Sequence, residues 1–216
     1  MRVLVAGANG NTARRIVRGL VNGGYEVRGL VRKEEQTPNV RDDGAEPVLC
    51  DLEQEEANGA IGEAMEGCDA IIFAAGAGAG SGEARKETMD YGGAVKLVEA
   101  AESRGVQRYL ILSSTGADDP EAREEAMRPY LSAKGRADER LRESSLDYTI
   151  IRPGRLTDDE GTGRIAAAES LGRRGEIPRE DVAATFVAAL ENPDTIGKTF
   201  EILSGDVAIK EALERL

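Results

Sequence analysis

The chain has 216 residues, 40% of them hydrophobic, which suffices for one α/β domain with a buried core but is short for two. A formal net charge of −12 argues against nucleic acid or an anionic membrane as a partner, because both are negatively charged. The absence of histidine excludes Ser-His-Asp and Cys-His catalysis and the usual zinc enzymes, so acid–base chemistry must use Tyr, Lys, Asp, Glu or Cys.

Short β-branched apolar runs alternate with amphipathic stretches along the chain. The predicted strands are Val3–Ala6, Glu26–Val31, Pro47–Cys50, Ala70–Ala74, Arg108–Ser113, Tyr148–Arg152 and Thr199–Leu203. The predicted helices are Thr12–Asn22, Glu55–Met65, Ala84–Ser103, Pro129–Glu143 and Arg179–Glu191. This alternation predicts a Rossmann-type, doubly wound α/β fold, with a mostly parallel sheet flanked by helices, as a single domain over residues 1–216 with a small C-terminal substrate-side region.

Three loops follow predicted strands, at the sheet edge where open parallel sheets bind ligands. They are Gly76–Gly82, Asp118–Arg128 and Thr157–Gly175. We therefore expect the binding site to lie at that edge.

The first predicted strand runs into a glycine-rich turn and then a helix. Gly7 permits a sharp turn, Gly10 lets backbone N–H groups approach a pyrophosphate, and the small Ala13 lets the helix pack close to the strand. The helix N-terminus adds positive potential. The spacing is G-x-x-G-x-x-A rather than the commonest G-x-G-x-x-G. The pattern predicts a dinucleotide site whose phosphate contacts are Gly7, Asn9, Gly10, Asn11 and Thr12.

The end of the second predicted strand bears on which dinucleotide binds. An acid at this tip would bind the ribose 2′-hydroxyl of NAD, but the sequence continues with Arg32 and Lys33. This pair either binds the 2′-phosphate of NADP or is a solvated basic pair. NADP is therefore the preferred cofactor, with NAD as the alternative. Asp51 and Leu52, after the third strand, either contact the adenine ring or, in the case of Asp51, cap a helix.

Further short motifs occur in a fixed order along nearly the whole chain. They are Gly7-Ala8-Asn9-Gly10, Asp51-Leu52, Ala74-Ala75-Gly76, Ser113-Ser114, Tyr130 with Lys134, Arg152-Pro153-Gly154 and Ile177–Ala183. Together they resemble the short-chain dehydrogenase/reductase superfamily, and in particular its atypical NAD(P)-binding branch, whose members are often labelled sugar epimerases or NAD-dependent epimerase/dehydratases. One departure is that only about 60 residues follow Gly154, too few for the C-terminal domain usual in enzymes of nucleotide sugars.

Tyr130 and Lys134 lie four residues apart on a predicted helix and so share a face. A nearby ammonium should lower the pKa of the tyrosine towards neutrality, so that it can exchange a proton with a substrate. The resemblance implies that Lys134 also holds the nicotinamide ribose and that Ser114, or Thr115, hydrogen-bonds the substrate oxygen. It further implies that Ala74-Ala75-Gly76 and Arg152-Pro153-Gly154 lie beside the cofactor.

Three functions agree with these features. The first is an NADP-dependent oxidoreductase or epimerase acting on a small carbonyl or hydroxyl substrate through Tyr130, Lys134 and Ser114. The second is a non-catalytic NADP(H)-sensing module, although such relatives often lack the Tyr and Lys. The third is a subunit that holds the dinucleotide structurally. No metal is expected, and the state is a monomer or, by resemblance, a homodimer through the helices Ala84–Ser103 and Pro129–Glu143.

The remaining features concern the surroundings of the protein. No apolar run reaches the roughly 18 residues of a membrane helix, and the N-terminus lacks a signal-peptide pattern, so a cytoplasmic location is expected. Cys50 and Cys68 are expected to be reduced thiols. The acidic excess with scarce Lys indicates either a salt-rich cytoplasm or an ordinary acidic protein from a high-GC genome.

Overall fold

A computed structural model describes residues 1–54, 57–78 and 80–216 of the chain. The strands of these ranges are β1 (Arg2–Ala6), β2 (Glu26–Val31), β3 (Glu46–Leu49), β4 (Ala70–Phe73), β5 (Arg108–Leu112), β6 (Asp147–Pro153), β7 (Arg155–Thr157), β8 (Arg164–Ala168), β9 (Glu176–Pro178), β10 (Lys198–Ser204) and β11 (Val207–Ala208). The α-helices are α1 (Asn11–Asn22), α2 (Thr37–Asp42), α3 (Ala57–Met65), α4 (Glu83–Arg85), α5 (Ala94–Arg104), α6 (Arg128–Arg142), α7 (Arg179–Glu191) and α8 (Ile209–Glu214).

The main sheet has the strand order β11-β8-β10-β6-β5-β4-β1-β2-β3. The strands from β3 across to β10 are all parallel, whereas β8 and β11 close the other edge in antiparallel pairing. β7 and β9 form a separate two-stranded parallel sheet. The predicted Rossmann-type, doubly wound fold is therefore confirmed.

Both faces of the sheet are covered, which explains why its strands are nearly continuous apolar runs. In β1, Val3 and Val5 pack into the core shared with α1, α7 and α8, whereas Leu4 and Ala6 pack into the core shared with α3, α5 and α6. All four side chains are fully buried. Alternate residues of one strand thus stabilise two different helical layers.

The structure differs from the sequence prediction in several elements, and α2, α8, β7, β9 and β11 were not predicted. The predicted helix Ala84–Ser103 contains the π-helical segment Lys86–Gly93 between α4 and α5. The predicted loop Thr157–Gly175 contains β8, whose partner β10 is distant in sequence, so its small residues gave no local signal. Residues 55 and 56, with which the third helix was predicted to begin, and residue 79 of the predicted loop Gly76–Gly82 lie outside the described residues.

In residues 1–54, 57–78 and 80–216, no helix combines the length and the apolar composition that crossing a bilayer requires.

Candidate functional site

A cavity of about 860 Å³ opens at the carboxyl ends of β1, β2, β4 and β5. It lies where the chain order of the strands reverses, between β1 and β4, which is where open α/β sheets bind ligands. Residues of the sequence-predicted site that line it are Gly7, Asn9, Gly10, Asn11, Thr12, Arg32, Leu52, Ala74, Ala75, Gly76, Tyr130 and Lys134. The fold thus gathers most of the predicted site around one space.

The turn between β1 and α1 leaves room for an anion. Gly7 has φ +76°, and a Cβ there would lie 2.6 Å from the Cα of Ala75, so no larger residue fits. Gly10 precedes α1, with no side-chain cap and no acidic residue in the first turn of the helix. The first N–H groups of an α-helix have no partner within it. Glycine backbone and free N–H groups together fit the pyrophosphate of a dinucleotide.

At the end of β2, the side chain of Gln36 shapes the turn. Its Oε1 accepts hydrogen bonds from the backbone N–H groups of Arg32 and Lys33, at 3.1 and 3.2 Å. Arg32 lines the cavity, whereas Lys33 is exposed and does not. Asp51 does not line it either, since its carboxylate accepts from the backbone N–H of Glu53 at 3.1 Å in a local turn. Leu52 supplies an apolar wall at this end.

An acidic residue nevertheless reaches the β2 tip from another loop. Oε2 of Glu53 lies 3.0 Å from Nε of Arg85 and 4.0 Å from a terminal nitrogen of Arg32. The sequence patterns assign no role to Glu53 or Arg85, because the two are brought together only by the fold.

Tyr130 and Lys134 lie on α6 at the other end of the cavity. Nζ of Lys134 donates to the carbonyl of Leu112 at 3.0 Å and lies 3.2 Å from Oδ1 of Asp90. Asp90 is fully buried on the π-helical segment, and its other oxygen accepts from the backbone N–H of Ala77 at 3.1 Å. Such π-helical turns frequently occur at functional sites. Asp90 is thus a third member of the Tyr130–Lys134 cluster that the sequence patterns missed.

The pKa of Tyr130 is shifted in the direction opposite to the sequence prediction. Burial raises the pKa of Tyr130 above its ordinary value, the Lys134 ammonium lowers it, and Asp90 raises it again, with a raised pKa as the result. Burial alone would lower the pKa of Lys134, but Tyr130 and Asp90 outweigh it and raise that pKa. The expectation that Lys134 brings the tyrosine towards neutrality is therefore wrong for the protein without ligands, because burial and Asp90 both oppose it.

The serines after β5 have separate environments. Ser113 lines the cavity and donates to Oδ2 of Asp138 at 2.8 Å. Ser114 lies beside Tyr130, where its hydroxyl favours the ionised phenol, but is not among the cavity-lining residues. Thr115 donates its backbone N–H to the carbonyl of Pro153 at 3.0 Å. Of the two alternatives, Ser114 is the one whose hydroxyl acts on the Tyr130 phenol.

Arg152, Pro153 and Gly154 lie behind the cavity wall rather than on it. Arg152 is buried and forms an ion pair with Asp138, at 2.9 Å. Gly154 donates its N–H to the carbonyl of Ile202 at 3.0 Å, and a Cβ there would meet Leu203. The structure does not bring this tripeptide to the cavity surface with the other predicted cofactor residues, because its polar groups are engaged in joining β6 to its neighbours.

Met127, Leu156 and Arg179 also line the cavity. The guanidinium of Arg179 lies 2.9 Å from Asp158.

Asp90 had a local signal, since a lone carboxylate beside Met89 on the inner face of a helix needs a partner. Arg179 lies within the Ile177–Ala183 motif, but the sequence assigned it no role in the site, because only the start of α7 after β9 directs it to the cavity. The described residues hold no cluster of three or more His, Cys, Asp or Glu that could bind a metal ion.

The fold and the glycine turn define a dinucleotide-binding Rossmann protein, and similar proteins agree with this class. The profile of the NAD(P)H-binding family matches residues 7–193. YhfK of Bacillus subtilis, an uncharacterized sugar epimerase, is 42% identical over the full length of both chains. A solved Bacillus halodurans structure assigned to the NAD-dependent epimerases/dehydratases is also 42% identical, with complete coverage of both chains and a TM-score of 0.94.

The oxidoreductase ylbE of Lactococcus lactis is 32% identical, with a TM-score of 0.87 and coverage of 100% of this chain and 96% of that one. The chain therefore belongs to the NAD(P)H-binding family, among Rossmann proteins of the oxidoreductase and epimerase type.

Proposed function

We propose that the protein is an NADP-dependent oxidoreductase that acts on a small substrate bearing a carbonyl or hydroxyl group. The observation that carries this proposal is that the glycine turn at Gly7–Gly10 and the Tyr130–Lys134–Asp90 cluster line the same cavity. A volume of about 860 Å³ is in the range of cofactor and ligand sites. One ligand can thus extend from the phosphate end to the acid–base cluster.

The preference for NADP over NAD rests on Arg32. Its side chain is 37% exposed and lines the cavity at the tip of β2, where the adenosine ribose lies in Rossmann proteins. A guanidinium there can bind a 2′-phosphate through two parallel hydrogen bonds. The main-chain amides at the start of α1 would hold the pyrophosphate.

When bound, NADPH supplies the hydride, and this chain supplies the proton and the orientation. The hydroxyl of Tyr130 donates its proton to the substrate carbonyl oxygen as negative charge develops there. The ammonium of Lys134 stabilises the phenolate that remains, and the Leu112 carbonyl and Asp90 hold that ammonium in place. In the reverse direction the phenolate accepts the proton of a substrate hydroxyl.

Other residues near Tyr130 would position the substrate. The hydroxyl of Ser114, which acts on the Tyr130 phenol, would orient the substrate oxygen. Met127 and Leu156 add apolar surface to the cavity wall, which helps to exclude water from the reacting carbon. Arg179 adds a cation to the wall of the same cavity.

Cofactor binding tests the proposal directly. Nicotinamide fluorescence is followed while the purified protein is titrated with NADPH and with NADH, using Arg41→Ala, an exposed arginine of α2, as the control for R32A. We expect NADPH to bind more tightly than NADH, and R32A to weaken NADPH alone by roughly tenfold. Equal binding of the two would mean that Arg32 does not read the 2′-phosphate. Failure of the folded protein to bind either would refute the proposal.

A screen of small carbonyl and quinone substrates with NADPH then tests the chemistry. We expect Tyr130→Phe to lower turnover by about 100-fold, because the proton donor is lost, while the Kd for NADPH stays within about twofold. Tight NADPH binding without turnover on any substrate would instead favour an NADP(H)-sensing module.

A further inference from the structure

Three charged side chains from separate parts of the chain meet at the β2 end of the cavity. Arg32 follows β2, Glu53 lies in the loop after β3, and Arg85 ends α4. A single carboxylate oxygen, Oε2 of Glu53, lies 3.0 Å from Nε of Arg85 and 4.0 Å from a terminal nitrogen of Arg32. Two guanidinium groups thus converge on one anionic oxygen.

Glu53 and Arg85 are each held by a further contact. Oε1 of Glu53 accepts from the hydroxyl of Thr88 at 2.6 Å. A terminal nitrogen of Arg85 donates to the carbonyl of Ala77 at 3.2 Å, in the loop after β4. Arg32, Arg85 and Ala77 line the cavity near the β2 tip, so the two guanidiniums are part of its wall while Glu53 is not among the lining residues.

Charge balance in this corner favours a phosphate over a hydroxyl. With Glu53 between them, the two arginines retain one net positive charge. A phosphate group carries up to two negative charges and several acceptor oxygens, and it can replace the carboxylate between two guanidiniums. A ribose 2′-hydroxyl carries no charge and would leave Glu53 in place as its hydrogen-bond acceptor. The exposed fractions, 37% for Arg32, 32% for Arg85 and 21% for Glu53, leave all three side chains accessible.

We propose that Arg85 is a second residue that binds the adenosine 2′-phosphate, and that Glu53 is an internal counter-ion which this phosphate displaces. Glu53 and Arg85 then determine, together with Arg32, how strongly the protein discriminates NADP from NAD. This inference rests on the proposed function and adds two specificity-determining residues to it. Glu53 pairs with both arginines in the ligand-free protein and opposes binding of the phosphate. It therefore lowers the preference for NADP over NAD that Arg32 alone would give.

Calorimetric titration with 2′,5′-ADP and with 5′-AMP measures the contribution of the 2′-phosphate to binding. The two ligands differ by that phosphate, and neither carries the nicotinamide half of the cofactor. The variants are E53Q, which keeps the size of the side chain and an acceptor for Thr88, and R85Q. The control is R136Q, which removes an exposed ion pair with Glu87 on the π-helical segment that follows Arg85. We expect R85Q to weaken 2′,5′-ADP by roughly tenfold and E53Q to tighten it several-fold. Neither variant should change 5′-AMP binding by more than about twofold, and the control should change neither ligand.

Other outcomes overturn the inference in distinct ways. If R85Q weakens both ligands equally, Arg85 only shapes the loop. If E53Q weakens 5′-AMP without tightening 2′,5′-ADP, then Glu53 only binds the ribose hydroxyls and is no counter-ion. If R32A removes the preference for 2′,5′-ADP while E53Q and R85Q leave it intact, the proposed function stands and this inference fails. Equal binding of both ligands by the wild-type protein overturns this inference together with the NADP preference.

Discussion

At the level of single residues, Asp90 adds to the effect of burial on the acid–base cluster, where burial is the largest cause of the raised Tyr130 pKa. Its fully buried carboxylate lies 3.2 Å from the Lys134 ammonium and accepts the N–H of Ala77. It therefore compensates the charge that would otherwise lower the pKa of Tyr130. The same contact connects the lysine to the loop after β4, which lines the cavity.

Replacing Asp90 by Asn tests this role. Asn keeps an acceptor for Ala77 but removes the negative charge, so we expect Tyr130 to ionise at lower pH than in the wild type. Tyrosinate absorbance measured against pH, with Tyr130→Phe as the blank, gives the pKa of this residue. Glu87→Gln, an exposed carboxylate on the same segment, is the matched control. An unchanged Tyr130 titration in D90N would show that Asp90 does not act on the phenol.

At the level of elements, α1 carries the phosphate turn and is fixed on two sides. It packs against α7, where a Cβ on Gly19 would lie 3.1 Å from Val187. On the other side, Asp43, which follows α2, is buried and forms ion pairs with Arg14 and Arg18 of α1. The distance between Asp43 and Arg18 is 2.9 Å. These contacts hold the start of α1 in position for an anion.

Asp43 should make the stability of this helix pair depend on pH. Burial alone would raise the pKa of Asp43, but the two guanidiniums outweigh it and lower the pKa below the ordinary 3.8. Its stabilisation is therefore complete above pH 3.8 and is lost as the pH falls through the lower folded-state pKa. Because both arginines are partly exposed, we expect D43N to cost about 1–2 kcal/mol at neutral pH.

Urea denaturation of wild type and D43N at several pH values measures this difference, with Asp42→Asn, an exposed neighbour, as the control. The gap between the two proteins should narrow in acid. A gap that stays constant down to the acid limit would mean that Asp43 acts through packing rather than charge.

For the whole molecule, the dominant electrostatic feature is the excess of negative charge. Lys and Arg number 28 against 40 Asp and Glu, and many of the ion pairs, such as that between Arg136 and Glu87, are at the surface. Surface pairs of this kind contribute little individually. At low ionic strength, mutual repulsion of the carboxylates is therefore expected to exceed the stabilisation that these surface ion pairs give.

The midpoint of thermal unfolding should rise as KCl is added up to about 0.15 M, because salt screens this repulsion over a Debye length of about 8 Å. A continued rise at molar KCl would indicate adaptation to a salt-rich cytoplasm, whereas a plateau would indicate an ordinary acidic protein. A midpoint that falls on addition of salt would contradict the prediction and mean that the surface ion pairs outweigh the repulsion.

The sequence by itself determined the fold class and the phosphate end of the site. Strand and helix periodicities are local, and the turn at Gly7 and Gly10 requires glycine for reasons that lie within a few residues. Tyr130 and Lys134 could also be paired in advance, because residues four apart on a helix share a face.

Only the tertiary structure decided the partners of these groups. Asp90 meets Lys134, and Glu53 meets Arg85, across elements that are separate in the sequence. Arg152 lies near the carboxyl end of β6 and Arg32 directly after β2, yet Arg152 pairs with the buried Asp138 while Arg32 lines the cavity. Local pattern sets which element a residue belongs to, but charge pairing and burial depend on distances between elements, and these exist only once the sheet and its helices have packed.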